Sequence, residues 1–144
     1  TSLCSDSSPH LRFLVGDYTV FNTETCECGR THVRAMGAMQ GRADDIINLR
    51  GIKLFPTQIE AAVRAVPEIG DEFQIRLHTT AEGLDIMDIT IEHADHANPA
   101  AIAEQIAAEI RTRCEVRAGV QVIAPNTLPK TEFKAKRVTD EREL

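Results

Sequence analysis

The sequence predicts an α+β fold, a small mixed β-sheet with helices packed on one face and a short β segment ahead of it. Two observations carry this. Apolar residues recur at helical spacing over Ile59, Ala62, Val63 and Val66, and again over Ile102, Ala103, Ile106, Ala107 and Ile110, while Phe73, Ile75 and Leu77 alternate with polar neighbours. The elements then follow in the order β-hairpin, α, β, β, α, β, which is that of helices layered on a sheet.

Each element has a local cause. Leu11–Val15 is a short apolar run closed by Gly16-Asp17 and continued by Val20 and Phe21, and it reads as strand. Such strands cannot bury both faces alone, and the chain does not start with Met. The first part of the chain is therefore expected to be the end of something larger, or an appendage. Ile46, Ile47 and Leu49 form a short strand, Gly51 permits a turn, and Lys53–Phe55 returns, which predicts a hairpin. Pro56 ends it. Thr57-Gln58-Ile59-Glu60 has the spacing of a capping box, with the helix expected to end near Pro67. The strand Phe73–Leu77 is followed by a turn over Thr79–Gly83 and a second strand, Ile86–Ile91. Asn98 caps the next helix, with Pro99 at its first position. Val120, Val122 and Ala124 make a last strand, and a basic tail follows. There is no internal repeat and no low-complexity tract.

Composition narrows the function classes. Of 144 residues, 42% are apolar, 26% charged and 4% aromatic, with no Trp, so the core must be aliphatic. No apolar run approaches the ~18–20 residues a bilayer crossing needs, and nothing reads as a signal peptide, which argues against membrane and secreted proteins. Sixteen Lys and Arg against 22 Asp and Glu give a charge of −6, a poor match to duplex nucleic acid. A phosphate can still be held where basic residues cluster. The four cysteines, Cys4, Cys26, Cys28 and Cys114, are too few and too unevenly spaced for a disulfide scaffold, which predicts a reducing cytoplasm.

Chemistry has to come from local constellations. The first is the run GRADDIINLRGIKLFPTQIE, Gly41 to Glu60. The second is LPKTEFKAKRV, Leu128 to Val138. The third is CECGRT, Cys26 to Thr31. The first two, in this order and about this far apart, resemble the C-terminal lid domain of the adenylate-forming acyl-CoA synthetases, and within that superfamily the phenylacetate–CoA ligase group, whose CxCGRT segment is the third. The resemblance runs from Leu11 to Arg142.

The resemblance implies a division into residues 1–43, the tail of a large ATP- and acid-binding domain, and residues 44–144, the lid. It implies a ligase that joins a small aryl carboxylic acid to CoA at the expense of ATP, with Mg²⁺, by way of an acyl-adenylate. Lys134 stands at the position of the lysine that assists adenylation. An ammonium between an acyl carboxylate and an α-phosphate offsets their repulsion. Phe133 replaces the glycine many members carry before it, which leaves Lys136 as a reserve candidate. Asp17 resembles the carboxylate that accepts the ribose hydroxyls, although a plain turn aspartate would look the same. Arg42 and Lys53 match basic residues near the nucleotide, and surface cations are their ordinary alternative. Asp44 matches the hinge about which the lid turns between the two half-reactions. Arg50-Gly51 is the hairpin tip that would line the CoA tunnel, though a hairpin needs glycine for its turn in any case.

Cys26, Cys28 and His32 could supply ligands to a structural zinc ion, with Cys4 or another domain giving the fourth; two reduced cysteines in a turn is the alternative. His78, His93 and His96 read as surface residues, Asp85, Asp88 and Glu92 as a solvated strand face, and Cys114 as a buried apolar residue. The partners implied are the acid, ATP and CoA, with no nucleic acid, no membrane, and a homodimer as a candidate assembly. The competing class is a non-catalytic module that keeps only the fold. A third is a ligase-like enzyme that stops at the adenylate or passes its acyl group to another thiol.

Overall fold

The structure, a computed structural model, describes residues 10–94, 98–130 and 137–142, apart from the side chain of Ala38. The chain divides into two compact units, Thr1–Asp45 and Ile46–Leu144. In the first, β1 (Asp17–Asn22) pairs antiparallel with β2 (Arg34–Arg42), and a short 3₁₀ turn, Ala43–Asp45, follows. The strand expected over Leu11–Val15 does not form; β1 begins only after Gly16, because a ladder needs a partner and β2 engages Asp17–Asn22. Leu11, Phe13, Leu14 and Phe21 are exposed.

The second unit has the predicted mixed sheet with helices. A hairpin of β3 (Ile47–Leu49) and β4 (Ile52–Leu54) leads into α1 (Pro56–Val63). The main sheet comprises β5 (Ile69–Thr79), β6 (Asp85–His93), β7 (Gly119–Ile123) and β8 (Val138–Asp140), with α2 (Pro99–Cys114) between β6 and β7. Its order is β7-β6-β5-β8, the central pair antiparallel and both outer strands parallel to their neighbours.

Alternation along the central strands builds the core. Phe73 faces Ile91, Ile75 faces Ile89 and Leu77 faces Met87, all six buried on one side of the sheet. Against them lie Ile59, Ala62 and Val63 of α1, Ile102, Ile106, Ile110 and Cys114 of α2, and Ile47, Leu49 and Leu54 of the hairpin. The four α2 residues recur every fourth position, a single stripe. Asn98 caps α2 as its sequence predicts, its Oδ1 accepting the N–H groups of Ala100 (3.2 Å) and Ala101 (3.4 Å).

Several expectations are corrected. The Thr57/Glu60 capping box does not form. Pro56 already occupies the first helical position, so Phe55 is the cap residue, and Gln58 Oε1 accepts its N–H at 2.9 Å. Glu60 instead accepts from Arg137 Nη1 at 2.5 Å. Helix α1 ends at Val63, short of Pro67, although Val66 beyond it stays buried. The basic tail holds a strand: β8 pairs with β5, Ile75 opposite Val138. Three residues with one apolar member carry no periodicity, so sequence could not reveal it.

Glu92 is not on a solvated face. It is 6% exposed and accepts the Leu128 N–H at 2.6 Å. Asp85 accepts from Thr79 Oγ1 at 2.8 Å and from Arg142 Nη1 at 3.1 Å. His78 is half-buried, its Nδ1 3.5 Å from Asp88 Oδ2. His96 lies outside the described residues.

Ile106→Ala should destabilise the chain by ~2–5 kcal/mol, the cost of a cavity in an aliphatic core, read from urea denaturation. Burial pushes the Glu92 carboxyl up, but the backbone N–H groups of Leu128, Asn126 and Thr127 outweigh it and hold the group below the usual carboxylate range. A carboxyl depressed in the fold lends stability above its unfolded pKa and loses it as pH falls through the folded value. Stability should therefore fall as pH drops below ~4.3, with a shallower slope in Glu92→Gln, read from denaturation midpoints across that range.

Candidate active site

Within the first unit, Asp17 opens β1 directly opposite Arg42, the last residue of β2. The end of this ribbon is tied by the Ala43 N–H donating to the Gly16 carbonyl at 2.7 Å. The Arg42 guanidinium then forks onto Asp44 in the 3₁₀ turn, Nε to Oδ1 at 2.9 Å and Nη2 to Oδ2 at 3.1 Å. Both side chains are more than half exposed, so water screens the pair. The hydrogen bond from Arg42 holds the Asp44 carboxyl below the usual range, and that same bond, with the nearby charges of Asp44, Asp17 and Asp45, strengthens the guanidinium's hold on its proton. The structure thus brings three of the expected residues, Asp17, Arg42 and Asp44, to one end of the β1–β2 ribbon.

Cys26 and Cys28 lie in the turn that separates β1 from β2. Gly29 N–H donates to the Cys26 carbonyl at 2.8 Å and Cys26 N–H to the Arg30 carbonyl at 3.0 Å. Backbone hydrogen bonding at Arg30 and the neighbouring Cys26 lower the Cys28 thiol from its ordinary value. Both are free thiols. Among the described residues no group of three or more His, Cys, Asp or Glu side chains is placed to hold a metal ion, and the structure does not gather Cys26, Cys28 and His32 into one. Two thiols alone do not meet the four-ligand demand of zinc. Cys4 lies outside the described residues.

Within the second unit, Arg50 and Gly51 are the two central residues of the β3–β4 turn, with φ of 51° and 85°. Positive φ at both positions is the mark of the tight turn that matches strand twist in a two-residue hairpin. Asn48 Oδ1 accepts the Gly51 N–H at 3.1 Å and closes it. Arg50 projects from an exposed tip, and Lys53 is exposed on β4 opposite Asn48.

Lys134 and Lys136 lie outside the described residues, as does Phe133, but both flanks of their segment are described. Upstream, Leu128 is held by buried Glu92. Downstream, Arg137 stands 4.5 Å over the Phe73 ring, pairs with Glu60, and its carbonyl accepts the Ile75 N–H at 2.7 Å. The described residues on either side are thus tied to the sheet, Leu128 through Glu92 of β6 and Arg137 through Ile75 of β5.

Residues 51–142 match the model of the AMP-binding enzyme C-terminal domain. The chain belongs to that family. It is 35% identical, over 161 aligned positions, to the phenylacetate-coenzyme A ligase of Thermus thermophilus, an alignment that takes in 99% of this chain and 36% of that protein. Among solved structures it is similar to a 2-hydroxyisobutyryl-CoA ligase. With 2-HIB-AMP in the postadenylation state, that ligase gives a TM-score of 0.76 at 32% identity, over 90% of this chain and 28% of the other. In its thioesterification state, with 2-HIB-AMP and CoA, the TM-score is 0.63 at 33% identity, over 92% of this chain and 28% of the other. The chain thus spans about a third of the length of the curated relative.

Family membership and the phenylacetate–CoA ligase likeness agree with the resemblance carried by the three motifs. Read from the sequence, Glu92 belongs to a solvated strand face, Arg137 to a basic tail, and Arg142 has no role. Each is a single charged residue with at least one partner far along the chain, and no local pattern marks it. Among the described residues no helix is long and apolar enough to cross a membrane.

Gly51→Ala should cost ~1–2 kcal/mol, the penalty for a side chain in the left-handed region. Arg50→Asn should be neutral or stabilising, because Asn tolerates that region better. Urea denaturation of the two variants checks both.

Proposed function

We propose that the chain is the C-terminal part of an ATP-dependent ligase that joins a small aryl carboxylic acid, phenylacetate-like, to CoA. The observation that supports this best is the likeness to a phenylacetate-coenzyme A ligase along 99% of the chain. In this reading residues 1–43 close a large ATP- and acid-binding domain and residues 44–144 are the lid.

The first half-reaction brings a carboxylate oxygen onto the α-phosphorus of ATP, and pyrophosphate leaves. Lys134 neutralises charge between the two anions as the bond forms. Asp17 accepts both ribose hydroxyls, a geometry suited to a carboxylate. Arg42 reaches the nucleotide by exchanging its Asp44 partner for it, and Lys53 adds positive charge on the lid. In the second half-reaction the CoA sulfur attacks the acyl carbon and AMP leaves. The lid turns about Asp44 between the two, and the Arg50-Gly51 tip then lines the approach of the pantetheine arm. One cleft so serves two reactions, as in other gated enzymes.

The test is pyrophosphate release by the full-length polypeptide carrying this segment, with ATP, Mg²⁺ and a panel of aryl and fatty acids, then with CoA added. Release that depends on an aryl acid, followed by thioester, is the expected result. Lys134→Ala should lower adenylation by ~100–1,000-fold, as loss of a charge-stabilising group does, with the fold retained. Unchanged release in that variant overturns the assignment. Silence across the panel from a folded, ATP-binding protein points instead to a non-catalytic module.

A further inference from the structure

The β3–β4 hairpin has only three residues on each strand, Ile47–Leu49 and Ile52–Leu54. A ribbon that short does not hold a direction by itself. Its apolar residues fix one face to the core, but the outward residue Asn48 is where the tip is steered. Asn48 Oδ1 holds the Gly51 N–H, and the Asn48 carbonyl accepts Nη1 of Arg142 at 2.6 Å.

Arg142 lies 94 positions away in sequence, just beyond β8, and its side chain is 7% exposed. Its Nε donates to Asp140 Oδ1 at 2.8 Å and its Nη2 to Asp140 Oδ2 at 2.6 Å, a two-toothed grip. The Nη1 shared with Asn48 also reaches Asp85 Oδ2 at 3.1 Å, at the start of β6. One buried guanidinium thereby joins β8, β6 and the root of the hairpin tip. A planar fork with five donors can do this, and a lysine ammonium cannot reproduce it.

We infer that Arg142 is a positioning residue for the thioester-forming step, holding the Arg50-Gly51 tip at the angle from which it meets CoA. The inference rests on the CoA role given above to that tip. Arg142 acts through Asn48 on the tip that the proposed function turns toward CoA, so its influence falls on the second half-reaction. Displacing a positioned group by ~1 Å can cost up to ~100-fold, and loss of one of several restraints should cost about tenfold.

The experiment uses the full-length polypeptide and measures two rates separately: acid-dependent pyrophosphate release, and thioester formation from preformed acyl-adenylate as CoA is varied. Arg142→Lys should slow the CoA step, or raise its KM for CoA, about tenfold and leave adenylation unchanged. Arg76→Ala breaks a neighbouring pair, Arg76 Nη2 to Glu141 Oε2 at 2.6 Å, without touching the hairpin, and should leave both rates as they are. Arg50→Asn, which keeps the turn, reports on the tip itself and should slow the CoA step. Equal loss of both rates in Arg142→Lys, tracking a lower denaturation midpoint, would assign Arg142 to stability alone and overturn the inference. So would an unaltered CoA step in Arg142→Lys beside a slowed one in Arg50→Asn, which leaves the tip's CoA role standing. An unaltered CoA step in Arg50→Asn removes that role, and the inference with it.

Discussion

The antiparallel β5–β6 pair has one face that must leave water, the face of Phe73, Ile75, Leu77, Met87, Ile89 and Ile91. Removing that aliphatic surface from solvent is the largest favourable contribution available to a chain with so few aromatics. Everything else in the second unit is arranged by the need to cover it. Helices α1 and α2 lay their stripes across it, and the short hairpin adds Ile47, Leu49 and Leu54 at its margin. On the opposite face of β5, Gln74 and Arg76 are exposed.

Around that core an acidic protein uses a few arginines as fasteners. Arg137 covers the edge of the core, stacked over Phe73 and paired with Glu60. Arg142 joins the last strand to the hairpin. The buried carboxylate of Glu92 does the corresponding work upstream with backbone N–H groups. A buried ion costs desolvation, which only several good hydrogen bonds offset. Glu92 and Arg142 have them. The exposed Arg42–Asp44 pair is of another kind: water screens it, and its partners can be exchanged at little cost. That suits residues proposed to meet a nucleotide or to turn.

Much of the fold was legible in the residues. The α2 cap, its four-residue stripe, the alternating β5 and β6 strands and the hairpin at Gly51 are all written in short windows. The candidate site was legible through motifs, and the structure places Asp17, Arg42 and Asp44 close along one ribbon end and Arg50-Gly51 at a tight tip. The α1 cap was misread because Thr57 and Glu60 satisfy the spacing of a box while Pro56 had already claimed the first helical position. The strand at Leu11–Val15 was misread because apolar character says nothing about whether a partner ladder exists.

The periodic elements, their turns and the family motifs are set locally, since each depends on residues a few positions apart. Tertiary structure alone decided that three residues after a basic tract become a strand, that Glu92 turns inward, and that Arg137 and Arg142 are fixed points. Each has a partner far away in sequence: Leu128 lies 36 positions from Glu92, Glu60 lies 77 from Arg137 and Asn48 lies 94 from Arg142. Whether a lone charge is solvated or buried depends on which distant groups the fold brings to it, and no local window of sequence contains that information.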